Sequence, residues 1–334
     1  MASKKQTFIL LFSLFSFFST IHSSNADQCT SSSSISVSVY WGQNTAEGTL
    51  KEACDTDNYN IVILQSLFLF DDGSTPYLNF AGHCGGAHDP CTKLESEIKH
   101  CQSKGIKVLL SIGGIFVLPS SPTRPAIPSL EYVVHEAAEY LRDNFLSGHF
   151  GPLGSVALDG IDIISVAEGR NIHWDELVKA INDVSQEKKV LISAAPQCVY
   201  PDYFLDKVIK TGLVDYLWVQ FYHNSPCEYS NGNSFNLFRA WEEWSLSVEA
   251  HNMLVFLGVP ASPNAVSSGY IPPEVLKSDI LPSLKKSSNF GGVMIFNRYF
   301  DKQTDYSGHI KGSGSKNCAY KCVCDDTVSN YLSY

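Results

Sequence analysis

The feature that most constrains the fold is an alternation of apolar, strand-length runs with segments of helical period. Eight such runs occur, and they are apolar almost throughout, as expected for strands buried on both faces of a parallel sheet. The runs are Ile35–Trp41, Ile61–Phe68, Lys107–Ile112, Gly160–Ser165, Val190–Ala195, Tyr216–Tyr222, Leu254–Val259 and Gly292–Asn297. The pattern predicts repeated βα units around a parallel sheet.

Helical periodicity fills the segments between the runs. The clearest example places apolar residues three and four positions apart from Leu130 to Phe145. Further helices are predicted at Thr92–Ser103, Trp174–Ser185, Phe235–Val248 and Pro273–Leu281. Eight strands with interleaved helices in about 285 residues favour a single (β/α)₈ TIM barrel over an open doubly wound sheet. No Gly-X-Gly-X-X-Gly follows a strand, so we expect no dinucleotide or other cofactor.

The N-terminal segment has the pattern of a secretory signal peptide. Lys4 and Lys5 precede an apolar run from Phe8 to Phe18, and small residues lead to Ala26. We therefore expect residues 1–26 to be removed, leaving a barrel at 27–310 and a cysteine-containing tail at 311–334. The run is shorter than the ~20 residues of a membrane span, so the protein is expected to be secreted, either extracellular or vacuolar.

Charge and cysteine content narrow the class of partner and the compartment. The chain has 24 basic and 34 acidic residues, a formal net charge of −10, which disfavours binding to nucleic acid or an anionic membrane. Its 10 cysteines suit an oxidising compartment. The 10 histidines are scattered, and no metal-ligand constellation or Ser/His/Asp grouping can be read from them.

Two loops are long and irregular at the carboxyl ends of predicted strands. Residues 115–128 contain four prolines, which forbid a regular helix, and Ala261–Pro273 is rich in Ser, Gly and Pro. Barrel enzymes build their sites from the loops at this face. We therefore expect these loops to border any functional site.

The fourth strand carries the most specific motif. Asp159-Gly160-Ile161-Asp162 resembles the start of the signature Asp-Gly-X-Asp-X-Asp-X-Glu of glycoside hydrolase family 18. Seven further blocks, in matching order, resemble the plant class III chitinases of that family. They are Tyr40–Asn44, Ala81–Cys84, Ser111–Gly114, Ala194–Cys198, Trp218–Tyr222, Gly269–Pro273 and Gly291–Met294. The resemblance runs from about residue 37 to residue 309 and implies a TIM barrel of the endochitinase type.

The resemblance also implies which chemistry is missing. In the family a glutamic acid protonates the glycosidic oxygen while the substrate's own acetamide attacks, and a middle aspartate orients that acetamide. Alternate residues of a strand share a face, so the three carboxyls of the signature line the barrel mouth. Here Asp162 fills the first place, but Ile164 and Val166 fill the second and third. Because neither can transfer a proton, we expect no intact catalytic set.

Glu168 is a weak candidate for the missing acid. Counted from Asp162, it lies two residues beyond the acid's place, ~6.6 Å farther along an extended strand. Counted back from Gly169 with one inserted residue, it points to the opposite face. A bulge could redirect it, but the orienting aspartate would still be absent. We interpret Glu168 as a solvated loop carboxylate.

Several ligand-contacting positions are retained by resemblance. Tyr222 and Gln220 match sixth-strand residues that contact the N-acetyl group, and Tyr40 and Gln43 lie in the matching first-strand block. Phe296 stands where the family usually has a tryptophan beneath the sugar. An aromatic face still stacks on a pyranose, although phenylalanine offers less area and no N–H donor.

Three disulfides are implied by the resemblance. They are Cys54–Cys101, Cys84–Cys91 and Cys198–Cys227, which would brace the loops of the barrel. Four cysteines have no family counterpart: Cys29, Cys318, Cys322 and Cys324. Cys322 and Cys324 are too close to pair readily with each other, so a bridge from Cys29 to the tail is the preferred hypothesis. A zinc site in the tail is a weaker alternative, because no histidine lies nearer than His309.

Three functions compete at this point. The first is a secreted, catalytically impaired chitinase-like protein that weakly binds chitin or another N-acetylglucosamine-containing glycan, as a lectin does. The second is a protein-binding inhibitor of a secreted glycosidase, for which a rigid Pro-rich loop is suitable because it loses little entropy on docking. The third is an active endochitinase that uses Glu168.

Overall fold

A closed barrel of eight parallel strands forms the centre of the molecule. The computed structural model describes residues 35–70, 76–84, 91–115, 130–164, 173–185, 188–230 and 232–311. The barrel strands are β1 Val37–Trp41, β2 Ile61–Phe70, β3 Lys107–Ile115, β4 Gly160–Ile163, β5 Leu191–Ala194, β6 Tyr216–Gln220, β7 Leu254–Pro260 and β8 Phe290–Phe296. Each strand pairs in parallel with its neighbours along the chain, and β1 pairs with both β2 and β8 to close the barrel. The predicted (β/α)₈ fold is confirmed.

The strands begin and end within one to three residues of their predicted bounds. The largest correction is at β3, which continues to Ile115, the residue where the Pro-rich loop was expected to begin. β6 ends at Gln220 rather than Tyr222, although the Phe221 amide still donates to the Gly258 carbonyl at 3.1 Å. The short strand Tyr77–Leu78 pairs antiparallel with the end of β2, and Phe150–Gly151 pairs with Gly154–Ser155 in a separate hairpin.

Helices lie between the barrel strands. They are α1 Leu50–Asp55, α2 Leu94–Ser103, α3 Leu130–Leu141, α4 Trp174–Val184, α5 Asp206–Ile209, α6 Phe235–Val248, α7 Pro273–Val275, α8 Leu281–Leu284, α9 Arg298–Thr304 and α10 Tyr306–Lys311. A π-helical segment, Arg142–Leu146, continues α3, and another, Leu276–Ile280, joins α7 to α8. Short 3₁₀ turns occupy Thr45–Glu47, Cys91–Lys93, Glu249–His251 and Pro263–Ala265. The predicted helices are present, but α1, α5, α9 and α10 were missed because each is shorter than the window over which periodicity can be read.

Two apolar layers stabilise the barrel. The outer layer lies between strands and helices and includes Trp41, Trp174 and Trp244, all almost fully buried. The inner layer fills the barrel with side chains that alternate along the strands with those facing the helices, as the pleat requires. Its buried members are Tyr40, Ile61, Ile63, Leu109, Ala195, Trp218, Phe256 and Met294.

The three disulfides implied by resemblance are present. Cys54–Cys101 joins α1 to α2, Cys84–Cys91 bridges the connection after β2, and Cys198–Cys227 joins the loops that follow β5 and β6. The corresponding Cα–Cα distances are 5.4, 5.3 and 5.7 Å. The predicted pairing of Cys29 with the tail lies outside the described residues, as do the signal peptide, residues 312–334 and residues 116–129.

The helices within the described ranges are all too short or too polar to cross a membrane.

Candidate functional site

Asp162 is the polar centre of the barrel interior. It lies on β4, faces inward and is fully buried. Its carboxylate accepts three hydrogen bonds from other strands: from Ser193 Oγ at 2.7 Å, from Trp218 Nε1 at 3.0 Å and from Tyr40 Oη at 2.9 Å. One carboxylate therefore ties β4 to β5, β6 and β1.

Burial decides the protonation behaviour of Asp162. Removal from water raises its pKa above the ordinary aspartate value, because the charged form loses its hydration. Hydrogen bonds from its neighbours, with Ser193 the strongest, act in the opposite direction but do not cancel the rise. The donors around it are neutral hydroxyl and indole groups, so the carboxylate has hydrogen-bond partners but no paired cation among them.

Ile164 is the next inward-facing residue after Asp162. Its half-buried side chain packs against the inner apolar layer, and its amide donates to the Ile112 carbonyl at 3.4 Å. An aliphatic side chain therefore lies two residues beyond the buried carboxylate on the same face, nearer to the mouth of the barrel, which is the end where the strands terminate. Val166 and Glu168 lie outside the described residues, so the position of the Glu168 carboxylate stays a prediction.

Three aromatic rings line the mouth on the side of β8. The half-buried Phe296 ring stacks on Tyr222, with centroids 5.9 Å apart and planes at 26°. Tyr40 meets the same ring edge-on at 6.5 Å. Tyr222 is 5% exposed, and burial raises the pKa of its phenol. The Tyr222 hydroxyl makes no hydrogen bond within the described part of the chain, whereas the Tyr40 hydroxyl donates to Asp162.

The two predicted glutamines, Gln220 and Gln43, differ in the hydrogen bonds that their side chains make within the protein. Gln220, on β6, donates from Nε2 to the Ala195 carbonyl at 2.7 Å, and this leaves its Oε1 without a donor among the described residues. Gln43 is exposed after β1, and its Nε2 donates to the Gln65 carbonyl at 2.5 Å. Gln43 therefore also holds the β1 loop against β2.

A buried glutamate shapes the loop that carries Gln43. Glu47 Oε1 accepts hydrogen bonds from the amides of Gly42 and Asn44, at 2.9 and 3.0 Å, and lies 3.1 Å from His83 Nε2. Gly42 has φ +114°, and a Cβ there would lie 2.7 Å from the Gln65 carbonyl oxygen. Only glycine allows this close approach without displacement of β2.

The loop after β7 packs directly on Tyr222. Gly269 has φ +87°, and a Cβ at this position would lie 2.6 Å from the Tyr222 Cα. His223, next along the chain, pairs its Nδ1 with Ser267 Oγ at 2.8 Å. The predicted position of the Ala261–Pro273 loop beside the site therefore agrees with the described contacts.

Ser193 and Trp218 belong to the site but were not predicted from the sequence. Both occupy inward positions of their strands and donate to Asp162. Strand alternation could have identified Ser193, because it is a polar residue within an apolar run, whereas Trp218 does not differ from its apolar neighbours. Across the described ranges, no group of three or more His, Cys, Asp or Glu side chains is placed to hold a metal ion.

Comparison with known families agrees with this geometry. The family profile described as "Glycosyl hydrolases family 18" matches residues 36–270, which include the barrel strands from β1 to β7. This chain belongs to glycosyl hydrolase family 18. Within that family, it falls among the class III chitinase-like proteins.

Similar proteins in this group carry different names. An acidic endochitinase of Cicer arietinum is 49% identical over 286 residues, which cover 85% of this chain and 93% of that protein. The solved tamarind chitinase-like lectin is 45% identical with a TM-score of 0.74, covering 83% of this chain and all of that one. The xylanase and α-amylase inhibitor protein of Scadoxus multiflorus is 39% identical with a TM-score of 0.73, covering 83% and 98%. The group thus spans proteins named enzyme, lectin and inhibitor.

Proposed function

We propose that this chain binds N-acetylglucosamine oligomers at the barrel mouth and does not hydrolyse them. The observation that carries the proposal is the inward-facing Ile164, two residues after the buried Asp162 and just beyond the end of β4. The family signature places the acetamide-orienting aspartate at this position. An aliphatic side chain can neither hold the acetamide N–H nor stabilise the positive charge that develops on it.

Loss of the general acid supports the same proposal. Val166 stands at the acid's place in the signature, and a positioned general acid contributes ~10²–10⁴ in rate. Without both groups, the substrate-assisted route has no proton donor and no counter-charge. Glu168 is the first carboxylate after Asp162 in the sequence and a bulge could redirect it, so it is the residue to test.

The remaining groups are suited to weak recognition of a sugar. The Tyr222 hydroxyl and Gln220 Oε1 offer hydrogen-bonding partners, and the Phe296 ring offers an apolar face. Replacement of the orienting aspartate by Ile164 leaves the acetamide N–H without a partner, at a cost of ~1–3 kcal/mol. Aromatic contacts contribute a comparable amount, so we expect a binding free energy of about −4 to −6 kcal/mol, in the high micromolar to millimolar range.

The expected setting of this function is the secretory pathway. The signal-peptide pattern, with removal of residues 1–26, leads to extracellular or vacuolar deposition. The similarity to a tamarind protein named a lectin supports a binding role there.

Two measurements on the secreted protein test the proposal. Titration calorimetry with the tetramer of N-acetylglucosamine should give measurable heat that falls in a Tyr222→Ala variant. Turnover of a chromogenic chito-oligosaccharide should not exceed background. Hydrolysis that disappears in Glu168→Gln would establish the endochitinase alternative, which the name of the Cicer arietinum relative favours.

A protein-binding role is the second candidate, favoured by the similarity to the Scadoxus multiflorus inhibitor. Under this alternative, the barrel loops would form the interface and the mouth would be a remnant. Incubation with a xylanase and an α-amylase, followed by activity assays, distinguishes it from glycan binding. If either enzyme is inhibited and titration with the oligosaccharide releases no heat, the protein is an inhibitor and the lectin-like role is wrong.

A further inference from the structure

We infer that Tyr203 is an outer stacking site that extends the oligosaccharide-binding mouth along the loop after β5. The inference rests on the proposed function and adds a position to it. Tyr203 is 87% exposed, yet it lies in a loop whose backbone is held firmly. A large apolar ring displayed to water on a rigid support is suited to stacking on a flat ligand face.

Asp202 provides the rigid support. Its carboxylate is buried and accepts hydrogen bonds from the amides of Gln197, Phe204 and Leu205, at 2.8, 2.8 and 2.6 Å. The Phe204 ring packs edge-on against Tyr203, with centroids 4.9 Å apart. The backbone on both sides of Tyr203 is therefore held in place, and the contact with Phe204 orients the Tyr203 ring.

A continuous chain of contacts links this loop to the mouth. The Asp202 carboxylate binds the Gln197 amide, and the Gln197 side chain accepts a hydrogen bond from Asn224 Nδ2. The same Nδ2 lies 3.2 Å from the carbonyl oxygen of Tyr222. Gln197 is also bridged to Gln220 through the backbone. The loop that carries the exposed ring is thus joined by hydrogen bonds to Tyr222 and Gln220, the two residues proposed to contact the sugar, and these connected segments form the rim of the mouth in this proposal.

A disulfide adds a covalent brace to that rim. Cys198–Cys227 joins the loop of Tyr203 to the loop that follows Tyr222. Trp244 of α6 donates from Nε1 to the Cys198 carbonyl at 3.0 Å, and this anchors the bridge to the outer layer. The spacing between ring and mouth is therefore set by covalent and hydrogen-bonded links, not by a free loop.

The amount of exposed surface favours a sugar over a protein as the occupant. A tyrosine side chain offers ~200 Å² at most, whereas a stable protein interface buries ~800 Å² on each partner. One ring matches the apolar face of one pyranose. We therefore identify the ligand of Tyr203 as a further residue of an N-acetylglucosamine oligomer whose first residues lie at Tyr222.

Calorimetric titration of the secreted protein with oligomers from trimer to hexamer tests this inference. Affinity should rise with length once the oligomer reaches Tyr203, and Tyr203→Ala should remove that rise, about 2- to 10-fold, while the trimer is unaffected. Tyr203→Phe should keep the rise. Phe150→Ala is the matched control, because Phe150 is 79% exposed but lies in the connection before β4, at the opposite end of the barrel.

The outcomes separate this inference from the function on which it rests. Binding of all lengths with equal affinity, unchanged in Tyr203→Ala, would overturn the outer site and leave the mouth in place. A similar loss in Phe150→Ala would also overturn it, as a general effect of removing exposed rings. Absence of heat with every oligomer would overturn both proposals.

Discussion

Tyr40 and Asp162 lie 122 residues apart and on strands that are not neighbours, yet the Tyr40 hydroxyl donates to Asp162 Oδ2 at 2.9 Å inside the barrel. Burial raises the pKa of both groups, since each loses hydration of its charged form. Because of this hydrogen bond, the Tyr40 hydroxyl points into the interior of the barrel and its proton is already donated to Asp162. The Tyr222 hydroxyl, by contrast, makes no hydrogen bond to another described residue, which is why the proposed function assigns the sugar contact to Tyr222.

Replacement of Asp162 by Asn should change the pH dependence of stability. The pKa of Asp162 is raised in the folded state. Its contribution to the free energy of unfolding is therefore complete below the unfolded pKa of about 4 and is lost as pH rises through the folded pKa. In Asp162→Asn, the amide oxygen still accepts from Ser193 and Trp218, while no ionisation occurs. The free energy of unfolding of the variant, relative to wild type, should therefore increase from pH 4 to pH 8.

Urea denaturation of both proteins at several pH values measures this difference. A difference that stays constant between pH 4 and pH 8 would contradict the raised pKa. Ser193→Ala is a useful companion, because it removes the strongest hydrogen bond to the carboxylate and should raise the pKa of Asp162 further.

Replacement of Gly269 by Ala should weaken oligosaccharide binding through Tyr222. The new Cβ would lie 2.6 Å from the Tyr222 Cα, so either the loop or Tyr222 must move. Gly105→Ala is the matched control, because Gly105 has φ +78° but no atom within 4 Å of the place that a Cβ would take. Both changes should cost ~1–2 kcal/mol of stability from backbone strain.

Calorimetry with the tetramer and denaturation of both variants separate the two effects. Only Gly269→Ala should lower affinity. Equal affinity in the two variants would show that the position of Tyr222 does not matter to binding.

Removal of the Cys198–Cys227 bridge should destabilise the protein more than removal of Cys84–Cys91. The sequence separations are 29 and 7 residues, and the loop-entropy relation gives about 3.5 and 2.5 kcal/mol. Paired Cys→Ala variants compared by urea denaturation test the order. The Cys198–Cys227 variant should also lose the length-dependent affinity ascribed to Tyr203, whereas the other should retain it. The reverse order of stability would mean that strain or unfolded-state structure outweighs chain entropy.

The double change Ile164→Asp, Val166→Glu should not restore turnover at the rate of an ordinary class III chitinase. By resemblance, Phe296 stands where the family usually has a tryptophan, and catalytic geometry tolerates only ~0.5 Å of error. Ile164→Asp alone should strengthen binding of the tetramer, because it returns an acceptor to the acetamide N–H, while Ile164→Leu should not. Chromogenic assays and calorimetry on the three variants test these expectations. Full recovery of turnover in the double variant would contradict this prediction and show that Ile164 and Val166 alone prevent hydrolysis.

The order of residues along the chain was sufficient to predict the barrel and to show that Ile164 and Val166 stand where the family signature has carboxylates. Buried parallel strands are apolar along their whole length, so each of β1 to β8 is recognisable locally. The Asp159–Asp162 motif identifies the family without reference to contacts. Likewise, the inward orientation of Ile164 follows from strand alternation, since every second residue of β4 faces the same side. These properties depend on the order of neighbouring residues, which the sequence contains.

The contacts between distant groups became known from the folded structure alone. The donors to Asp162 come from β1, β5 and β6, and no local pattern identifies Tyr40, Ser193 and Trp218 as its partners. The exposure of Tyr203 depends on how Asp202 folds the loop after β5, which composition does not reveal. Hydrogen bonding and burial are relations between segments far apart in the chain, so they are settled only when the barrel closes.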